Sequence, residues 1–338
     1  MSKSLSLILI YDWECPISNY SFFDVGSKKP YFPESEKEWF ADWFKTGVNK
    51  ELNDIINAEK DVAIYFSGTF LEQLSNYDHE WIDKIKSAKH IQLLGGTYHH
   101  SLASLYSKKH FEREVIWHQK LIKKLFSKKS DCFLNTGNAY FNDLADQLNI
   151  MGYNSTFTGA IDWYLGENNN QRVFHSRTNS DFKLLLVNED QGQTLFHEPE
   201  VENHFFQLTP HSINKLGGWK ELLRKIGNKA KVNSIKDQIK NIQTSPYNIR
   251  QPIGCSYDHI SLDQLINYPL QESWLKQLYE LEKSISKKSE YLQKEWSRLG
   301  STSILKLLNP ELEHNETADS YHSYQSLINI LSDLHLKL

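Results

Sequence analysis

The strongest constraint in this sequence is a repeated alternation of two periods. Short apolar runs at Leu5–Tyr11, Val62–Phe66, Ile91–Leu94 and Cys132–Leu134 are separated by stretches with helical spacing. Trp39, Phe40, Trp43, Phe44, Val48, Leu52, Ile55 and Ile56 fall on one stripe, and Leu71, Leu74, Trp81, Ile82 and Ile85 on the next. Phe111, Val115, Leu121, Ile122 and Leu125 mark a third helix, and Leu144, Leu148 and Met151 a fourth. Tyr153–Thr158 and Phe182–Val187 supply two more strand candidates. Strand, helix, strand repeated this often implies a parallel sheet with right-handed crossovers. An open doubly wound sheet and a closed barrel both fit. The number of units and the aromatic helices favour the barrel. No G-x-G-x-x-G follows the first run, so nothing supports a dinucleotide site.

The pattern then weakens. From about Glu189 to Ser261 the periodicity is poor, punctuated by Gly217-Gly218 and Ser245-Pro246, which predicts loops, short helices and a final strand or two. From Leu270 the chain reads as helical. Leu275 to Ile285 fits one helix, Tyr291 to Leu308 a second that stops at Asn309-Pro310, and Tyr324 to Leu334 a third. The expected organisation is an α/β barrel over residues 1–260 and a helical subdomain over 261–338.

Composition narrows the class. The 338 residues carry 38 Lys and Arg against 42 Asp and Glu, a net charge of −4, so there is no general basic surface for nucleic acid. A hydrophobic share of 39% excludes a charge-driven disordered chain. Cys15, Cys132 and Cys255 show no CxxC spacing, which argues against a disulfide framework or structural zinc and for a reducing compartment. The first apolar run is followed at once by Asp12 and Glu14, so it reads as a buried strand and not a signal peptide. No run approaches the ~18 apolar residues of a membrane span. A soluble, cytoplasmic protein is expected. The pairs Lys123-Lys124, Lys128-Lys129 and Lys287-Lys288 read as solvated helix faces. Neither His99-His100 nor His110 with His118 has the i, i+4 spacing of a helical zinc pair, and Ser104 stands where a sugar deacetylase would need its second histidine. No metal and no cofactor are expected.

In a parallel barrel the site lies at the C-terminal strand ends. Those ends carry the aromatics Trp13, Tyr98, Tyr140 and Trp163, with Glu14, His100 and Asn135 as polar neighbours. Aromatic faces beside amide, imidazole and carboxylate groups suit sugar rings, which present both C–H faces and hydroxyls. Ordinary packing is the alternative for each aromatic.

Several of these stretches carry a resemblance. Leu93-Leu94-Gly95-Gly96-Thr97-Tyr98-His99-His100-Ser101-Leu102-Ala103-Ser104-Leu105 and Asn135-Thr136-Gly137-Asn138-Ala139-Tyr140 resemble the second and third conserved stretches of glycoside hydrolase family 57, the α-amylase-like group. Asn19 to Gly26, Phe66 to Thr69 and Met151-Gly152-Tyr153 fall in the family's order, and Leu278 to Glu282, Trp296 and Leu331 to Leu334 resemble its helical tail. The resemblance implies a (β/α)7-type barrel with a C-terminal helical subdomain, and an α-glucan or maltooligosaccharide as ligand.

The departures concern the chemistry. The family's glutamate nucleophile in Asn-Thr-Glu corresponds to Gly137, the glutamate before Thr97 is Gly96, and His-Gln-Pro is matched by Glu14-Cys15-Pro16. The family's general-acid stretch has no counterpart between Val187 and Asp258. Retaining hydrolysis needs two carboxyl groups ~5–5.5 Å apart, and glycine supplies none. The resemblance therefore implies an α-amylase-like protein without its hydrolytic pair and with no catalytic residue assigned. It would bind glucan through Trp13, Glu14, Tyr98, His100, Asn135, Tyr140 and Trp163, or serve a glucan-processing enzyme partner as a non-catalytic scaffold. Relocated carboxylates, Glu14 with Glu189 or Asp190, are the active alternative.

Overall fold

The structure, a computed structural model, describes residues 3–14, 16–166, 171–187, 203–227, 229–240, 242–256, 260–312 and 319–338. Its strands are β1 (Lys3–Tyr11), β2 (Val62–Phe66), β3 (Ile91–Leu93), β4 (Cys132–Phe133), β5 (Ser155–Gly159), β6 (Val173–Ser176), β7 (Lys183–Val187), β8 (Asn203–Leu208), β9 (Ala230–Val232) and β10 (Pro246–Tyr247). Seven of them make a (β/α)7 barrel in the order β8-β1-β2-β3-β4-β5-β7, with parallel ladders joining β8 to β1, β1 to β2, β2 to β3, β4 to β5 and β5 to β7. Leu5 is in register with His204, Ile8 with Ala63 and Ile64 with Leu93. A parallel bridge from Gly95 to Phe133 joins β3 to β4, and β7 packs beside β8 across the last gap. β6 runs antiparallel to β7 and carries β10, while β9 adds to the start of β1.

Most barrel strands are rich in apolar residues because both faces are covered, with β5 and β8 the more polar. Leu5, Leu7, Leu9 and Tyr11 turn outward to the helical layer. Ile8 and Ile10 turn inward, with Tyr65, Leu134, Phe157 and Phe205 filling the ring. The tightest packing sets rings on glycines. A Cβ at Gly68 would meet the Tyr98 ring at 2.6 Å, one at Gly95 would fall on the Tyr153 ring, and one at Gly96 on the Tyr65 ring.

The helices follow the apolar stripes with four breaks, one of which divides the helix expected from Leu275 to Ile285 into Pro269–Glu280 and Glu282–Ile285. The Trp39-to-Ile56 stripe divides into Glu36–Trp43 and Asn49–Asn57 around a wide turn containing Gly47. The second stripe divides into Gly68–Tyr77 and Glu80–Ser87, and the helix expected from Tyr291 to Leu308 into Glu290–Arg298 and Thr302–Leu307. Ser67 and Ser107 cap their helices by accepting from Phe70 N and His110 N. The weakly patterned region holds the seventh barrel strand, β8. Its apolar run is interrupted by His204 and Gln207, and Gln207 spends its side chain inside the barrel in a paired amide contact with Asn138 at 2.8 Å in each direction.

Beyond Leu262 the described chain is helical, with Leu262–Ile266, Pro269–Glu280, Glu290–Arg298, Thr302–Leu307 and Ser320–Lys337. Trp274 and Trp296 are fully buried in this layer. A buried polar cluster fixes it to the barrel. Glu114 accepts from His99 N at 2.9 Å, lies 2.7 Å from His99 Nδ1 and accepts from Ser297, while His110 Nε2 meets Ser297 Oγ at 2.6 Å. Tyr279 Oη lies 3.1 Å from the other nitrogen of His110. Among the described residues no helix is long and apolar enough to cross a membrane.

Candidate functional site

The geometry at Gly137 bears directly on hydrolysis. Gly137 follows β4 with φ of 63°, in the left-handed region that disfavours side chains. A Cβ there would stand 3.2 Å from Leu262 Cδ1, with Leu102 also in contact. The Gly137 carbonyl accepts from Cys255 N at 3.1 Å, so backbone and leucine close the space together. Nearby, Tyr65 occupies the volume that a side chain at Gly96 would need, and its hydroxyl donates to Thr97 O at 2.6 Å. The Tyr65 ring thus fills the position at Gly96, and Leu262 crowds the one at Gly137.

An open cavity of about 560 Å³ lies instead at the ends of β1 and β8. Asp12, Trp13, Trp43, His100, Asn214 and Lys306 are among its lining residues. β1 delivers Asp12, Trp13 and Glu14, and β8 ends at Leu208 just before Thr209, Pro210 and His211, which also reach it. Trp13 is held by its indole N–H, which donates to Glu36 Oε1 at 2.7 Å, and Arg298 pairs with the same oxygen. Trp43 packs on Trp13 with ring centroids 5.3 Å apart, but it is only partly buried. Glu14 is exposed and pairs with Lys306 at 2.8 Å.

Asp12 is the unusual group. Its Oδ1 is buried without a hydrogen-bond partner. Burial raises its pKa to about 7, against the opposing pull of Ser67 and the Lys306 charge. Near neutral pH it is therefore half protonated and can both donate and accept. His100 has the opposite character. Burial pushes its imidazole down to about 3, with Lys306 adding to the effect, so it stays neutral. Its backbone sits at φ of 50° and its ring lies against Tyr65, centroids 5.2 Å apart. Among the described residues no group of three or more His, Cys, Asp or Glu is arranged to hold a metal ion.

Of the residues expected from the sequence, Trp13, Glu14 and His100 share this cavity. Tyr98, Asn135 and Tyr140 are not among its lining and are buried. Tyr98 bonds to Glu72 and lies under Lys294, 4.7 Å from ring centre to Nζ. Asn135 donates to Ser104 Oγ at 2.9 Å and to Ala139 O at 2.7 Å. Tyr140 packs beside Tyr247. Trp163 belongs to the short helix Asp162–Leu165, its side chain outside the described residues, as are Glu189 and Asp190. Sequence reasoning missed Asp12, Trp43, His211, Asn214 and Lys306. Two signals were available: Asp12 directly follows the first apolar run at a strand end, and Thr209-Pro210, a capping residue followed by proline, marks a strand-to-helix corner.

These features define a (β/α)7 barrel protein with a cavity at the C-terminal strand ends and a helical layer bound to that end. The chain belongs to glycosyl hydrolase family 57: the profile of "Glycosyl hydrolase family 57" matches residues 19–195, just over half of the chain. It is similar to the Methanocaldococcus jannaschii protein named "Putative alpha-amylase", with 30% identity over 147 residues covering 42% of this chain and 31% of that one. The matched region thus spans less than a third of the length of that relative. Its fold is similar to a GH57 branching enzyme from Thermococcus kodakaraensis, at TM-score 0.68 and 9% identity, over 98% of this chain and 89% of that chain. It is also similar in fold to an α-amylase from Thermotoga maritima, at TM-score 0.62 and 10% identity, over 100% of this chain and 93% of that chain.

Proposed function

We propose that this chain binds an α-glucan or maltooligosaccharide in the cavity at the ends of β1 and β8 and does not hydrolyse it by the retaining route of its family. The observation that carries the second half is Leu262 over Gly137. Retention requires a carboxylate at the anomeric carbon and a second carboxyl group ~5–5.5 Å from it. Gly137 carries no side chain, and Leu262 Cδ1 crowds the place of a Cβ there. Binding is supported by the half-buried Trp43 lining the same cavity as Asp12, Asn214 and Lys306. An apolar face with a few convergent polar groups is the usual make-up of a sugar site.

The test combines product analysis with binding. Maltoheptaose is incubated with the protein at high concentration, products are separated by chromatography, and affinity is read by calorimetry. Saturable binding with no shorter sugars is the expected result. Shorter sugars that vanish in Asp12→Asn would show that the chemistry has moved to the Asp12 cavity. Absence of any binding would overturn the proposal.

A further inference from the structure

The helix Glu36–Trp43 carries two tryptophans four residues apart, Trp39 and Trp43. Residues at this spacing are neighbours on one helix face, about 5–6 Å apart at Cβ. Their surroundings differ. Trp43 lines the cavity at the ends of β1 and β8 and packs against Trp13, Phe40 and Phe70, with ring centroids 5.3, 5.8 and 6.2 Å away. Trp39 is 49% exposed, and among the described residues no aromatic ring packs on its indole. The helix thus steps outward from buried Phe40 and Phe44, through half-buried Trp43, to exposed Trp39.

This helix is anchored to the cavity wall beside Trp39. Glu36, three residues earlier, is buried, accepts from the Trp13 indole N–H at 2.7 Å and pairs with Arg298. The Arg298 guanidinium lies in turn over the Phe32 ring, 3.9 Å from its centre. Trp39 is therefore presented by a rigid element whose other tryptophan already faces the cavity, which is how a platform is preorganised. Its nearest neighbours in sequence, Lys37, Glu38 and Asp42, are exposed and charged. The indole is one apolar face in a polar surface, not part of the broad apolar patch that a protein partner would cover. A flat ring edged by polar groups matches a pyranose, with its C–H face and its hydroxyls. Four residues of helix advance about 6 Å, a step on the scale of one hexose unit.

We propose that Trp39 forms an outer glucan subsite, on which a sugar of a longer α-glucan stacks after the chain has left the cavity past Trp43. The assignment rests on the reading of that cavity as the glucan site and adds to it a direction, outward along the helix Glu36–Trp43, and a preference for length. A short maltooligosaccharide fills the cavity alone, whereas a longer one also reaches Trp39.

Calorimetry on the full chain tests it, with maltotriose and maltoheptaose as probes. The native chain is compared with Trp39→Ala and Trp39→Tyr, whose melting temperatures are measured alongside. The native chain should bind maltoheptaose more tightly than maltotriose. Trp39→Ala should shrink that advantage by about three- to tenfold, the range expected for one stacked ring. Trp39→Tyr, which keeps a ring, should restore most of it. An unchanged advantage in Trp39→Ala would overturn the subsite while leaving the glucan reading in place. So would an equal loss on both sugars, or a native chain that binds the two equally. If neither sugar binds the native chain, the glucan reading itself falls, and the subsite with it.

Discussion

Leu262, from the first helix of the C-terminal layer, lies directly over Gly137, its Cδ1 3.2 Å from where a Cβ would be. On the proposed non-hydrolytic reading, this contact crowds the place that a side chain at position 137 would take. Substituting the family's residue should therefore fail. Gly137→Glu places a side chain at φ of 63° and against Leu262, and the strain alone costs about 1–2 kcal/mol. Its melting temperature should fall, and maltoheptaose should remain uncut. Appearance of retaining hydrolysis in this single variant would show that the position is still served by a second carboxyl group.

Asp12 makes stability fall with rising pH. Its pKa is about 7 in the folded chain, against ~3.9 when unfolded. Between those values the folded state binds more protons than the unfolded state, so stability declines as pH rises from about 4 to about 7. Glu51 behaves alike, raised to about 7 by burial although Tyr11 donates to it at 2.6 Å. Asp12→Asn removes the ionising group, so its stability relative to the native chain should be higher at pH 8 than at pH 5. Thermal denaturation at the two pH values checks this. An unchanged difference would place the Asp12 pKa in the ordinary carboxylate range.

The buried Glu114 cluster acts in the opposite sense. His99 and His110 hold this carboxylate well below its usual range despite complete burial. Removing it leaves His99 N, His99 Nδ1 and Ser297 without their acceptor, where the barrel meets the helical layer. Glu114→Ala should cost about 1–3 kcal/mol, the usual cost of leaving buried hydrogen-bond donors unsatisfied. Denaturant unfolding would measure it. A loss below about 1 kcal/mol would mean that water replaces the carboxylate.

β1 to β4 and β7 were readable as short apolar runs because both their faces are covered, and β5 was expected at Tyr153–Thr158. β8 was not, since His204 and Gln207 interrupt its pattern for reasons found only in three dimensions. Gln207 pairs with Asn138, which is distant in sequence. The site was legible in part for a similar reason. A strand-end position says that a residue is near the barrel mouth, but not which way its side chain turns. Trp13 and His100 turn toward the cavity, whereas Tyr98 turns onto Gly68. Asp12 carries no motif at all, and its importance comes from burial. Lys306 reaches the cavity from the helical layer, 292 residues beyond its partner Glu14.

Trp43 and Trp13 share the cavity wall but should differ in what they do. Trp13 is buried and tied to Glu36, so its role is to hold the wall. Trp43 leaves part of its ring accessible, so a sugar face can stack on it. Trp43→Leu keeps an apolar group against Trp13 and Phe40 and should weaken maltoheptaose binding by about tenfold, equivalent to about 1.4 kcal/mol. Glu14→Gln should change folding stability by less than about 1 kcal/mol, because its ion pair with Lys306 is largely solvated. Calorimetry on the two variants separates the contributions. If Trp43→Leu binds as tightly as the native chain, the sugar does not stack in this cavity, and the glucan site must be sought elsewhere on the barrel.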